Sequence, residues 1–267
     1  MYESLDDEII RHLSPYILRI PMESFNERVY LSLRHRFVYV DGWTMASELI
    51  KNCLFRLELG DPTLAIHEQL YEDRDQAPLF RPSQTVFFDD WMQRDKPFVF
   101  TTVQNPYLRL LYIYLKCFTK GSLEDEHIRM VLGEPRIGTA LAPLSFADFI
   151  QAISESHVAH MNEKWRPQYL QLVMEKMPYQ DFIRFETLDA DLRRVGARVS
   201  DDFSQYYTQK VPDPDLLQQW VNTHYTPELA DTVRQIYAKD FECFAYSSDP
   251  SACFEVKHKP IAVGGKL

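Results

Sequence analysis

The stretch Phe98-Val-Phe-Thr-Thr-Val-Gln-Asn-Pro-Tyr-Leu-Arg-Leu-Leu-Tyr-Ile-Tyr-Leu-Lys-Cys-Phe118 constrains the fold more than any other part of this chain. Phe98 to Val103 is a short apolar run of aromatic and β-branched residues, the composition of a buried strand. Asn105-Pro106 then opens a helix. Asn is a good N-cap, and Pro fits the first helical position because the N–H it lacks has no partner inside the helix. Tyr107, Leu111, Tyr114 and Phe118 follow at helical spacing, with Leu110, Ile113 and Cys117 widening the apolar stripe. A strand that runs straight into a helix N-terminus aims backbone N–H groups outward and suits an anion. Gln104 and Arg109 add side-chain donors at the same junction.

Acidity narrows the partners. A net charge of −10 over 267 residues gives no basic surface for nucleic acid or anionic membranes. No apolar run approaches the roughly 18–20 residues that span a bilayer, and the acidic start, Met1 to Glu8, lacks the basic-then-apolar order of a signal peptide. The four cysteines, Cys53, Cys117, Cys243 and Cys253, show no CxxC spacing and read as reduced packing residues. These features predict a soluble, cytoplasmic protein that binds neither nucleic acid nor membrane.

The same patterning predicts a strand over Arg36–Val40, a turn at Asp41–Thr44 and a helix from Met45 to Leu57. A strand over Asp181–Glu186 leads into a helix over Leu188–Val199. Further helices are expected over Thr63–Tyr71, Glu124–Leu132, from the Ser145 cap through Ser154, and as one long element from Thr226-Pro227 to Phe244, while Ile9–Leu18 reads equally as a short helix or a covering segment. Loops are expected over Asp73–Ser83 and Gly133–Pro143. Strands alternating with helices indicate an α/β fold with a mainly parallel central sheet, whose ligands bind beyond the carboxyl ends of the strands. Two junctions, Asp41–Ser47 and Gln104–Arg109, are then candidates to face one crevice. There is no Walker-type Gly-x4-Gly-Lys and no nucleophile elbow.

Gln104-Asn-Pro-Tyr-Leu-Arg-Leu-Leu-Tyr-Ile-Tyr114 resembles the 3′-phosphate-binding motif of the family 2 sulfotransferases, a group related to the carbohydrate sulfotransferases, whose pattern is Arg-Asn-Pro-Tyr-x-Arg-Leu-Leu-Ser-x-Tyr. Leu144-Ser-Phe-Ala-Asp-Phe-Ile150, Trp165-Arg-Pro-Gln168, Tyr179-Gln-Asp-Phe-Ile-Arg-Phe-Glu186 and Ile236-Tyr-Ala-Lys-Asp-Phe-Glu-Cys-Phe-Ala-Tyr246 follow in the family's order and spacing. The resemblance covers Arg34 to Ser247 and implies a P-loop-like sulfotransferase fold. It divides the chain into an N-terminal covering segment (1–33), a sulfotransferase-like domain (34–247) and a C-terminal tail (248–267). It also implies the donor 3′-phosphoadenosine 5′-phosphosulfate (PAPS), its product 3′-phosphoadenosine 5′-phosphate (PAP), no metal, and a hydroxyl or amine acceptor on a small molecule or glycan. A bacterial-style enzyme and a homo-oligomer are both compatible with it.

The chain departs from the family pattern at the residues that handle charge. Asp41 stands where the resemblance puts a Lys that contacts the leaving phosphate, Gln104 stands for the Arg on the 3′-phosphate, and Tyr112 stands for a Ser. Arg109 and Asn105-Pro106 are retained. Cofactor-binding candidates are therefore Gly42, Trp43, Thr44, Ser47, Gln104 and Arg109, with Lys51 the nearest lysine to the first loop. Catalytic candidates are Asp41, as base or hydroxyl acceptor, and His157 and His160, whose neutral imidazoles suit a general base at pH 7. As a plain loop carboxylate, Asp41 would face water or cap the next helix. Two alternatives to sulfuryl transfer stand beside it: a binding or scaffold protein that has lost PAPS, and different chemistry in the same cleft with Asp41.

Overall fold

A computed structural model describes Leu13 and residues 21–67, 76–85, 87–118, 123–133, 144–158, 161–207 and 212–256. Strands and helices longer than one turn run, in order, α1 (Met22–Arg28), β1 (Val29–Ser32), β2 (Phe37–Val40), α2 (Ser47–Leu59), α3 (Phe88–Asp95), β3 (Phe98–Val103), α4 (Pro106–Cys117), α5 (Leu123–Val131), α6 (Phe146–Glu155), β4 (Asp181–Arg184), α7 (Leu188–Val199), α8 (Pro214–His224), α9 (Pro227–Ile236) and α10 (Ala238–Cys243). They fall into two compact units, one within 1–103 and 170–211, the other within 104–169 and 212–259.

The first unit holds the sheet, in the order β1-β2-β3-β4. β2 pairs parallel with β3, and β3 parallel with β4, while β1 adds an antiparallel edge. Every residue of β2 is buried, as a central strand covered on both faces demands, and this explains the unbroken run Phe-Val-Tyr-Val. β1 is an addition to the expected strands: four residues, Val-Tyr-Leu-Ser, are too short to carry a clear period. On the sheet, Tyr30 meets Phe55 of α2 with ring centroids 6.0 Å apart. α7 packs beside β4 and β3, burying Leu188, Leu192, Val195 and Val199. The mainly parallel α/β reading is thus what the chain forms.

The second unit is helical. Asn105 caps α4, its Oδ1 accepting from Tyr107 N at 3.0 Å. Ser145 and Asp148 form a capping box on α6. Tyr114, Phe118 and Phe149 cluster, and Phe149 meets Trp165 edge-on with centroids 5.6 Å apart. Residues past Ser247 are tied in as well, for Gln218 Nε2 donates to Pro250 O at 2.8 Å and Cys253 N donates to Gln218 Oε1 at 3.1 Å.

Two expected elements come out differently. The described part of the Thr63–Tyr71 segment is not helical, because Asp61 Oδ1 takes both the N–H and the hydroxyl of Thr63 at 2.8 Å in a tight turn. The long C-terminal helix breaks at Tyr237, which leaves the helical region at ψ 22° while its hydroxyl donates to Trp165 O. α1, α3 and α8 form where no helix was expected. Ile9–Leu18, apart from Leu13, and residues 134–143 of the expected loop lie outside the described residues.

Candidate functional site

The loop after β2 is built around Asp41. Its backbone is fixed first: Asp41 N donates to Arg28 O at 2.8 Å, and Arg28 returns Nε and Nη2 to Asp41 O at 3.0 and 2.7 Å, with Nη1 on Gln171 O at 3.1 Å. Arg28 is 3% exposed, so a buried guanidinium is serving carbonyl oxygens, a use its fork of five donors permits. Gly42 follows because a Cβ there would stand 1.9 Å from Thr102 O. Gly42 N reaches the Thr102 hydroxyl at 3.4 Å, and Tyr39 OH lies 3.1 Å from the same oxygen. Trp43 then turns in the left-handed region at φ 52°, an uncommon conformation for a large side chain.

The Asp41 side chain organises what remains of the loop. Oδ1 accepts from Trp43 N at 3.0 Å and from the Ser47 hydroxyl, and Oδ2 lies 3.2 Å from Lys51 Nζ. Ser47 Oγ in turn accepts from Thr44 N at 2.9 Å. Burial alone would raise the Asp41 carboxyl, but Lys51, the Ser47 hydroxyl, Arg28 and Trp43 N together hold it below the usual carboxylate range. Lys51 reaches this place because helical side chains lean toward the N-terminus. It sets a cation beside the first turn of α2, which the helix dipole disfavours unless an anion sits there too.

The second junction opens the helical unit. Gln104 is fully buried, and its backbone is gripped by one amide: Gln104 N donates to Gln168 Oε1 at 3.0 Å, and Gln168 Nε2 donates to Gln104 O at 2.7 Å. Arg109 is also fully buried. Its Nη1 and Nη2 donate to Arg166 O at 3.0 Å and Lys164 O at 2.7 Å, so it clamps the segment before Gln168. Asp240 holds the next step, accepting Gln168 N at 2.7 Å and Tyr169 N at 2.8 Å. Burial pushes the Asp240 carboxyl up to about 6, against the pull of those N–H donors and of Arg109. His157 is exposed just beyond α6, and His160 lies outside the described residues. Among the described residues no group of three His, Cys, Asp or Glu is placed to hold a metal ion.

Asp41 and each of the cofactor-binding candidates therefore have a local role, whereas His157 is placed apart from both clusters' described hydrogen bonds. Asp41, Gly42, Trp43, Thr44 and Ser47 form one hydrogen-bonded loop, while Gln104 and Arg109 form a second cluster. Sequence reasoning missed Arg28, Thr102, Gln168 and Asp240 as the residues that shape these junctions. Gln168 and Asp240 did lie in phrases that carried the family resemblance, and that was the available signal. The model of the sulfotransferase family matches residues 34–247, and the chain belongs to that family. No curated protein and no solved structure matches it.

Proposed function

We propose that this chain transfers a sulfuryl group from PAPS to a hydroxyl or amine of a small molecule or glycan. The family match over 34–247 supports it. The observation that carries it to particular residues is the donor set of the first loop. Lys51 Nζ, the Ser47 hydroxyl and Trp43 N converge on one carboxylate, the combination of ammonium, hydroxyl and amide that an oxyanion asks for. The Asp41 carboxylate serves as a stand-in for such an anion, and on that ground the loop fits the phosphate end of the donor.

Bound there, PAPS would bring an activated sulfuryl group on a phosphate leaving group. The chain's own part in this reading is to orient and neutralise. Lys51, Ser47 and Trp43 N hold phosphate oxygens, with Gly42 letting the backbone lie close against β3 and Thr44 bracing Ser47. The family resemblance would give the donor's 3′-phosphate to Gln104 and Arg109, but Arg109 is fully buried with Nη1 and Nη2 on Arg166 O and Lys164 O. The reading therefore keeps only the first loop for phosphate oxygens and assigns His157 or His160 to taking the acceptor's proton. Asp41 itself is a poor proton carrier, because its lowered carboxyl stays ionised at neutral pH and both of its oxygens accept hydrogen bonds or an ion pair. No helix among the described residues is long and apolar enough to cross a membrane, and a cytoplasmic setting is part of the proposal.

A second reading is favoured by the same loop. Its cation is already matched by Asp41, and Gln replaces Arg at position 104, as in a family member that has given up the donor and binds a partner instead. The discriminating experiment is acceptor-dependent release of PAP from PAPS, screened over hydroxyl- and amine-bearing small molecules and glycans. Release with at least one acceptor is expected. No release over the whole panel, together with no binding of PAP, would favour the second reading.

A further inference from the structure

We propose that Asp41 is an internal counter-anion, occupying the oxyanion position of its own loop and swinging out before any phosphate-bearing ligand is held there. The inference rests on the loop being an anion site and adds a regulation to it: the site is closed by a residue of the chain.

Three features support a side chain that leaves while the loop stays. The Asp41 backbone is fixed independently of its carboxylate, by its own N–H on Arg28 O and by the Arg28 guanidinium on its carbonyl. Rotation of the carboxylate about its side-chain bonds breaks none of these contacts. The groups it would vacate remain in place, since Ser47 belongs to α2 and also accepts from Thr44 N, and Trp43 N is backbone. Lys51, finally, keeps a 13% exposed side chain on a flexible stem, so its ammonium can follow whichever anion is present. Two anions cannot share this donor set, because like charges a few ångströms apart repel strongly.

The proposal reverses the sign expected of a structural or catalytic carboxylate. If Asp41 merely braced the loop, or carried protons, its removal would weaken ligand binding or leave it unchanged. As a counter-anion, its neutralisation strengthens binding. Calorimetric titration of inorganic pyrophosphate into the wild type and Asp41→Asn tests this, with circular dichroism melts as a folding control. The variant is expected to bind at least about tenfold more tightly, which is about 1.4 kcal/mol. Adding Lys51→Met to Asp41→Asn is expected to erase the gain. Asp41→Ser, smaller and still able to accept from Trp43 N, is read in the same way should the Asn variant fail to fold. Pyrophosphate affinity equal to or below wild type in the folded variants would overturn the proposal. A gain for pyrophosphate with no binding of PAP by either protein would uphold the counter-anion and overturn the sulfotransferase reading.

Discussion

Asp41 and Lys51 make a pair whose worth depends on both members being present. Their side chains are 7% and 13% exposed, so solvent screens them little, and removing Lys51 takes away the largest of the interactions that offset the burial of Asp41. Lys51→Met is expected to cost about 3 kcal/mol of folding stability at pH 7, measured by urea unfolding; an unchanged midpoint and slope would show that the pair contributes nothing. The pH dependence has a definite sign. Because the folded carboxyl is lowered, Asp41 adds stability that is fully present above its unfolded value near 3.8 and is lost as pH falls through the lower folded value. Lys51→Met removes the nearest opposing charge and moves that loss to higher pH. None of this was visible in sequence, where Lys51 lies well inside α2 and Arg28 precedes the first strand.

At the scale of elements, the β2–loop–α2 junction depends on how closely it lies against β3. Gly42→Ala would force a Cβ to 1.9 Å from Thr102 O, a clash with backbone that no side-chain rotation relieves. The expected loss is about 3 kcal/mol, read as a lower unfolding midpoint, and a variant as stable as wild type would mean the loop is free to lift. Elements buried on both faces were the legible ones: β2 and β3 announce themselves as apolar runs, and α7 and the Ser145 cap of α6 were found where their patterns put them. α8 escaped because only Leu217 and Val221 of it are buried, too sparse a stripe to show a helical period. The break at Tyr237 escaped for a different reason, since it answers to a hydrogen bond with Trp165 far away in sequence. The site was legible as a set of residue types at two junctions. Its wiring was not, because Arg28, Thr102, Gln168 and Asp240 are brought in by tertiary structure.

Across the whole molecule, two buried carboxyls pull stability in opposite directions with pH. Asp240 has a folded value raised from 3.8 to about 6, so its contribution is complete below about 3.8 and is lost as pH rises through about 6, amounting to about 3 kcal/mol at most. Taken together, these two carboxyls favour the folded state most at about pH 4. Asp240→Asn is expected to flatten the decline between about pH 4 and 6 in urea-unfolding measurements, and a slope equal to wild type would assign that decline to other groups. The phrases that carried the family resemblance in the second unit are spatially joined. Arg109 of the first clamps the carbonyls of Lys164 and Arg166, and Gln168 and Tyr169 donate to Asp240 of the last. The phrases that carried the resemblance thus build the fold, whereas the proposed use of the donor rests on the loop around Asp41. Isothermal calorimetry of the purified wild-type chain with PAP addresses that point most directly. The account predicts saturable binding at about micromolar strength, about −8 kcal/mol, whereas no heat at several temperatures, with no thermal stabilisation by PAP, would contradict it.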